Sequence, residues 1–389
     1  MSRRDSWQSL VAIITFTAAL ALPIAAGDGG PVYLLGYGTA ALIVAWVVGL
    51  AILFTIRQTA PGQGIDTLFI ASFAGAFLVL AVLPGVESRT EPGFWALLIT
   101  CWLLAWLLVT RLSLLRPVGR APATLLRIAV PALFGIWLLF LWEVIVRGAG
   151  VPPVLLPPPS AVWARIVGSV SFSLDPSDPG FPVSGILWDD FRQTFLKAVI
   201  AGYAIGCGSG FIVAVLVDRV GFLKRGLLPI GNLVSALPVV GVAPILVMWF
   251  GFDWQSKAAV VVVMTFFPML VNTVAGLASA DHIQRDLMRT YAAGYWPTLV
   301  KLRLPAALPF IFNGLKINTT LALIGAIVAE FFGTPIVGMG FRISTEVGRL
   351  SIDMVWAEIA VAALAGSVFY GAMALVERAC TFWHPSFRT

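Results

Sequence analysis

The sequence predicts an all-α polytopic membrane protein, and three observations carry that reading. Hydrophobic residues make up 59% of its 389 residues and charged residues 11%, whereas soluble globular chains are roughly 25% charged. Apolar stretches of about 20 residues, each long enough to cross about 30 Å of hydrocarbon, recur from end to end. Basic residues gather in short clusters between those stretches, where the positive-inside rule places them. The net charge of +6 therefore points to a membrane surface and away from nucleic acid. Cys101, Cys207 and Cys380 lie far apart, show no metal-ligand spacing and read as small apolar packers.

Run length and polar breaks place spans near residues 8–26, 32–56, 66–84, 93–112 and 128–146, then near 194–217, 228–250, 257–278, 310–332 and 354–376, about ten in all. The opening stretch also has the look of a secretory signal, with Arg3 and Arg4 before an apolar core and Ala25 and Ala26 near a cleavage point. An uncleaved first span is the preferred reading. Arg57, the Arg111 to Arg127 group, Arg219 with Lys224 and Arg225, Arg285 to Arg303, and Arg378 with Arg388 all fall on one side. That side is cytoplasmic, as are both termini. Trp7, Trp46, Trp95, Trp102 and Trp106 suit membrane interfaces.

The break at 147–193 is rich in Pro, Ser and Asp and too polar for hydrocarbon, so it faces outward. Within it Ser160 is expected to cap a short surface helix carrying Val162, Trp163, Ile166 and Val167. A disordered linker is the alternative. Pro238 and Pro244 should bend or break their span. Gly202, Gly206 and Gly210 recur every fourth residue and admit a close helix, within the subunit or across a dimer.

Between the spans at 257–278 and 310–332 the chain reads DHIQRDLMRTYAAGYWPTLVKLRLPAALPFI. Helical spacing through Asp286 to Tyr291, then Ala292, Ala293 and Gly294, predicts a helix pair with a tight turn, ended by Leu304-Pro305 before Pro309 opens the next span. Such a knob fits a groove on a partner; a plain surface helix is the alternative.

Polar residues inside spans are costly in lipid and should face the bundle interior. Asn232, Ser235, Asn272, Thr273, Asn313, Asn318, Thr319 and Thr320 are candidates for a solute pathway, or equally for helix-to-helix bonding. Glu330 is a further candidate, although pairing with a basic group such as Arg342 suits it better, and Lys316 is expected to snorkel toward the cytoplasm. No G-x-x-x-x-G-K-[ST] loop is present. His282 and His384 are far apart, and no catalytic or metal constellation is readable.

With Trp142-Glu143-Val144, the Leu156-Pro157-Pro158-Pro159-Ser160 turn, Trp296, Leu304 to Pro309 and Ala329-Glu330, the chain resembles the permease subunits of binding-protein-dependent ABC importers. The branch is that of nitrate, sulfonate, taurine and pyrimidine-precursor systems, and the likeness covers about the last 260 residues. The family's Glu-Ala-Ala triplet, three residues, Gly and later Leu-Pro map onto Asp286-Leu287-Met288, Ala292 and Leu304-Pro305. Leu287, Met288 and Ala292 depart from its small residues. The resemblance implies a type I importer transmembrane domain of about six helices at 126–389, with a coupling loop at 279–309, preceded by about four extra transmembrane helices at 1–125 of unassigned role. It implies that Asp286, Met288, Ala292, Ala293, Gly294, Trp296, Leu304 and Pro305 meet the ATPase.

It further implies a multi-pass inner-membrane location, a second permease copy in a homodimer, two ATPase subunits that carry ATP and Mg, and an extracytoplasmic solute-binding protein. The chain itself carries no cofactor and is not an enzyme. A pyrimidine-like heterocycle or a sulfonate- or nitrate-like anion is the implied solute. An ion-gradient-driven secondary transporter is the competing class, and it calls for repeated halves and intramembrane carboxylates.

Overall fold

The computed structural model describes residues 3–27, 30–37, 65–87, 89–115, 120–172, 183–235, 238–332 and 337–383, together with 45, 48 and 49. The predicted span at 32–56 falls almost wholly outside them, as do Arg57, Trp46, Arg116, His384 and Arg388. The chain divides into two compact units, Met1–Val162 and Trp163–Thr389.

The first unit holds α1 (Arg3–Ala21), a small antiparallel hairpin of β1 (Ala25–Gly27) and β2 (Gly30–Val32), then α2 (Ile65–Val86), α3 (Pro92–Leu114) and α4 (Arg120–Gly148). The first predicted span ends early because the chain turns at Leu22 and Pro23 into the hairpin. Gly93 donates to the Pro23 carbonyl, and a Cβ there would lie 2.5 Å from the Leu22 oxygen. Phe16, Val48, Leu68, Leu104 and Leu108 form one apolar core, and Val79, Leu83, Phe94 and Leu97 belong to another. Inside these cores the Thr100 hydroxyl donates to Thr15 at 2.8 Å, satisfying a polar group that lipid could not. Trp7 and Trp106 meet edge to face, both about half exposed, as interface residues would.

Helix α5 (Pro159–Gly168) forms as predicted, but Ser160 is not its capping acceptor. The Glu143 carboxylate takes both the Ser160 backbone N–H, at 2.9 Å, and its hydroxyl, at 2.7 Å. A full negative charge thus answers the positive end of the helix, and Arg147 bonds Glu143 in turn. Trp163 and Val167 remain exposed while Val162 is buried.

The second unit continues through short strands β3 (Ser171–Phe172) and β4 (Val183–Ser184) into α6 (Ile186–Arg219), α7 (Gly221–Ser235), α8 (Val239–Phe250) and α9 (Trp254–Ala278). Then come α10 (His282–Thr290), α11 (Tyr295–Glu330), α12 (Met339–Gly348) and α13 (Ile352–Cys380). Among the described residues α2, α3, α4, α6, α9, α11 and α13 are long and apolar enough to cross a membrane. The predicted span at 228–250 is instead assigned to two helices, and Pro238 sits extended at the α8 N-cap. A proline has no backbone donor, which suits the start of a helix, where that donor would be unpaired. Pro244 is tolerated inside α8.

Helix α9 lies at the centre of this unit, between α6 and α11, and glycines set both spacings. A Cβ on Gly202 would lie 2.6 Å from Val261 Cβ, one on Gly210 2.6 Å from the Phe266 oxygen, and one on Gly206 on top of Thr265 Oγ1. The four-residue glycine stripe therefore packs within the subunit. On the far side of α9, a Cβ on Gly276 would lie 2.8 Å from Phe310 Cβ, and one on Gly325 2.7 Å from Met264 Sδ. Cys207 is buried here and Cys101 in the first unit, but Cys380 is exposed and does not pack.

Candidate functional site

One polar lock ties α6, α9 and α11 together at one end, and a second ties α6 and α11 to α12 at the other. At one end Arg303 makes a bidentate pair with Asp218, both bonds 2.7 Å, and also donates to the Leu277 carbonyl at 3.0 and 2.9 Å. Its side chain is 15% exposed and that of Asp218 6%. One guanidinium thus joins all three helices, and Tyr295 adds its hydroxyl to Asp218 at 3.2 Å. Neither Asp218 nor Arg303 stood among the sequence candidates. The usable signal was an acid beside hydrocarbon, which is rare without a partner.

The predicted coupling segment hangs from this lock. Helix α10 begins at Asp281, whose side chain accepts from the Ile283 N–H at 3.3 Å, and buries no residue. It ends in a Schellman turn, in which Ala293 N–H reaches Met288 O at 3.0 Å and Ala292 N–H reaches Arg289 O at 2.9 Å. Ala292 occupies the left-handed position of that turn, with φ 52°. The family's glycine at this place has a backbone reason, since a Cβ in left-handed conformation costs roughly 1–2 kcal/mol.

Asp286 is exposed and pairs with Arg289 at 3.1 Å. Met288 is half-buried, Ala293 and Gly294 line the turn, and Trp296 is exposed. Leu304-Pro305 does not end the segment. The chain is helical from Tyr295 to Glu330, with a π turn at Leu299–Arg303 in which the Leu304 N–H bonds to Leu299 O. The wider turn makes room for the Pro305 ring and its missing donor.

At the other end Glu330 is 2% exposed and accepts from Thr194 Oγ1 at 2.8 Å and from Gly340 N–H at 2.7 Å. Arg342 pairs with Asp190 at 2.8 Å, so the predicted pairing of Arg342 with Glu330 does not form. Asp190, fully buried, also accepts from Gly338 N–H at 2.6 Å. Gly340 belongs where it is because a Cβ would strike the Ile327 carbonyl. Lys316 pairs with Glu377, near the C-terminal end of α13, at 2.6 Å, both mostly buried.

The predicted pathway residues separate. Asn318 is fully buried, donating to Thr265 O at 2.8 Å and to Cys207 Sγ at 3.1 Å. Thr319, fully buried, donates to Lys316 O, and Thr273 is fully buried. Asn313 and Thr320 are exposed on one stripe of α11 with Phe310, Ile317 and Ile324. Asn313 donates to Asn272 of α9 at 3.3 Å, and Asn272 donates to Pro268 O. The side chains of Asn232 and Ser235 lie outside the described residues.

The model of the binding-protein-dependent transport system inner membrane component matches residues 202–381. The formylaminopyrimidine transport permease protein ThiX of Halalkalibacterium halodurans is 31% identical over 257 residues, 65% of this chain and 95% of that protein. This chain belongs to that permease family. The riboflavin transport system permease protein RibX of Chloroflexus aurantiacus is 30% identical over 249 residues, covering 64% of this permease and 88% of its own length. The taurine transport system permease protein TauC of Escherichia coli is 26% identical over 255 residues, 64% and 86% of the two chains. The permease is thus an integral inner-membrane protein, the solute-pathway subunit of an ATP-driven importer, with extra N-terminal helices. Family membership decides against the ion-gradient-driven reading.

Proposed function

We propose that two copies of this permease form the importer's pore, and that residues 279–309 dock into one ATPase subunit per copy on the cytoplasmic face. Both termini then lie in the cytoplasm, and the solute-binding protein meets the opposite face. ATP and Mg belong to the ATPase. The observation that carries this reading is α10, an exposed helix with no buried residue that is nonetheless tied through Asp218 and Arg303 to three spanning helices. Ile283, Leu287 and Tyr291, at 65, 55 and 77% exposure, make an apolar stripe that a partner would cover. Leu277 lies five residues before α10 and Tyr295 five after it, so a push on α10 reaches the lock from both of its ends.

Among the candidates whose side chains are described, Asn313, Thr320 and Asn272 are the polar ones left to face a solute. Glu330, Asn318, Thr319 and Thr273 are structural, because each is buried against helix neighbours. We favour a flat nitrogen heterocycle of pyrimidine or flavin type as solute, since ThiX and RibX, at 31 and 30% identity, carry such names while TauC stands at 26%.

Proteoliposomes holding the permease, its ATPase and its binding protein should accumulate labelled heterocycle, not taurine, when ATP is supplied. Ala293→Arg at the Schellman turn should cut uptake about tenfold or more while ATP hydrolysis persists, because a few kcal/mol of coupling is enough for that loss. Normal uptake by this variant would remove the docking role from the turn, and taurine accumulation would overturn the solute class.

A further inference from the structure

Resting on that docking reading, we propose that the basic cavity behind α10 receives a carboxylate side chain of the ATPase. The cavity, of about 390 Å³, lies between Arg285 and Arg289 of α10, Ala293 of the turn, Thr298, and the Asp218–Arg303 pair. Its charges do not balance from within. Both Asp218 oxygens are taken by Arg303. Arg289 holds Asp286 loosely, the two side chains being 82 and 59% exposed. Arg285 reaches only the Ala278 carbonyl, at 3.4 Å, and its Nε is shielded from solvent with no hydrogen-bond partner. Arg219 lies over the rings of Tyr295 and Trp296, at 5.6 and 5.8 Å, and adds a further cation near the cavity. Three guanidiniums thus line the cavity with one carboxylate, Asp218, while Arg219 and Asp286 lie beside it, and a shielded guanidinium nitrogen without a partner is costly until an acceptor arrives.

The direction of the helix faces selects a protein carboxylate over a lipid headgroup. At 100° per residue Arg285 and Arg289 lie roughly opposite Ile283 and Leu287 on α10. The arginines turn toward the bundle, where Arg285 meets Ala278, and the apolar stripe turns away from it. A helix lying on a bilayer does the reverse, apolar side inward and basic side to water. A partner that grips the apolar stripe and extends an acidic side chain over the Ala292–Gly294 turn satisfies both faces at once. Arginine suits that contact because its planar fork pairs with carboxylate bidentately.

The test uses the whole permease–ATPase complex. Arg285→Lys supplies an amine that a carbodiimide joins to any carboxylate in contact, and the linked peptides are read by mass spectrometry. Leu287→Cys, with a thiol cross-linker, reports docking of the helix independently. The expected result is an amide between position 285 and an Asp or Glu of the ATPase, together with ATPase retention that is at least about tenfold weaker, and less salt-sensitive than the parent's, in the double variant Arg285→Gln, Arg289→Gln. A link from 285 only to Asp218 or Asp286, while position 287 still joins the ATPase, overturns the inference and leaves docking standing. Failure of both positions to reach the ATPase overturns docking and the inference with it. Protection of position 285 by millimolar inorganic phosphate or by phosphatidylglycerol, with ATPase retention unchanged, overturns it in favour of a free anion or a lipid headgroup.

Discussion

Replacing Asp218 with Ala is expected to abolish uptake while leaving ATP hydrolysis in the assembled complex. The substitution strips Arg303 of its only carboxylate at a site where the arginine side chain is 15% exposed. Removing one partner from a largely buried, doubly bonded pair costs about 3–5 kcal/mol, because a charge is left uncompensated. Arg303 retains the Leu277 carbonyl, so α9 and α11 stay joined and the loss falls on α6. The coupling segment would still move with the ATPase, but one of the three helices it drives would be unhooked. Reversing the pair, Asp218→Arg with Arg303→Asp, should restore part of the uptake lost in either single change, as expected when two residues are coupled. Simultaneous assay of hydrolysis and uptake in proteoliposomes reads this; unimpaired uptake by Asp218→Ala would show that the lock carries no motion.

Gly206→Leu is expected to destabilise the second unit strongly, whereas Gly208→Leu, two residues along the same helix, should be nearly silent. A Cβ at 206 falls on Thr265 Oγ1 and within 3.0 Å of Val262 Cα and its carbonyl oxygen, while one at 208 meets nothing within 4 Å. Overpacking a filled interface costs about 1–3 kcal/mol, or more where the obstacle is backbone. Backbone is the obstacle here, so α6 and α9 must separate along the glycine stripe. Thermal unfolding in detergent should show Gly206→Leu lowered by roughly 5–10 °C or not recovered as folded protein, with Gly208→Leu within about 2 °C of the parent. Equal behaviour of the two variants would contradict the α6–α9 contact.

The spanning helices were legible because hydrocarbon demands length and apolarity, which a linear chain displays directly. The spans predicted at 66–84, 93–112, 128–146, 194–217, 257–278, 310–332 and 354–376 lie within α2, α3, α4, α6, α9, α11 and α13, but for a few terminal residues. The helix at His282–Thr290 and the tight turn after it were legible from helical spacing and the small residues after Tyr291. Helix ends were less so. Leu304-Pro305 reads as a stop, yet a π turn carries the helix through it, and no local signal distinguishes the two outcomes. The partners of the buried charged groups were not legible at all. Glu330 meets Thr194 across 136 residues and Arg303 meets Asp218 across 85, separations that periodicity does not encode. Lys316 could be given a charge in the sequence but not its partner Glu377, which a different helix supplies.

The central claim is that the α10 segment lies in the cytoplasm under the ATPase, and side-specific labelling of Leu287→Cys tests it most directly. Cys380 is the exposed native thiol among the described residues and is first replaced by Ser, whereas Cys101 and Cys207 are buried. A membrane-impermeant maleimide should label position 287 in inverted vesicles and not in intact cells, and bound ATPase should protect it. Labelling from the outside, or equal labelling with and without the ATPase, would contradict the claim.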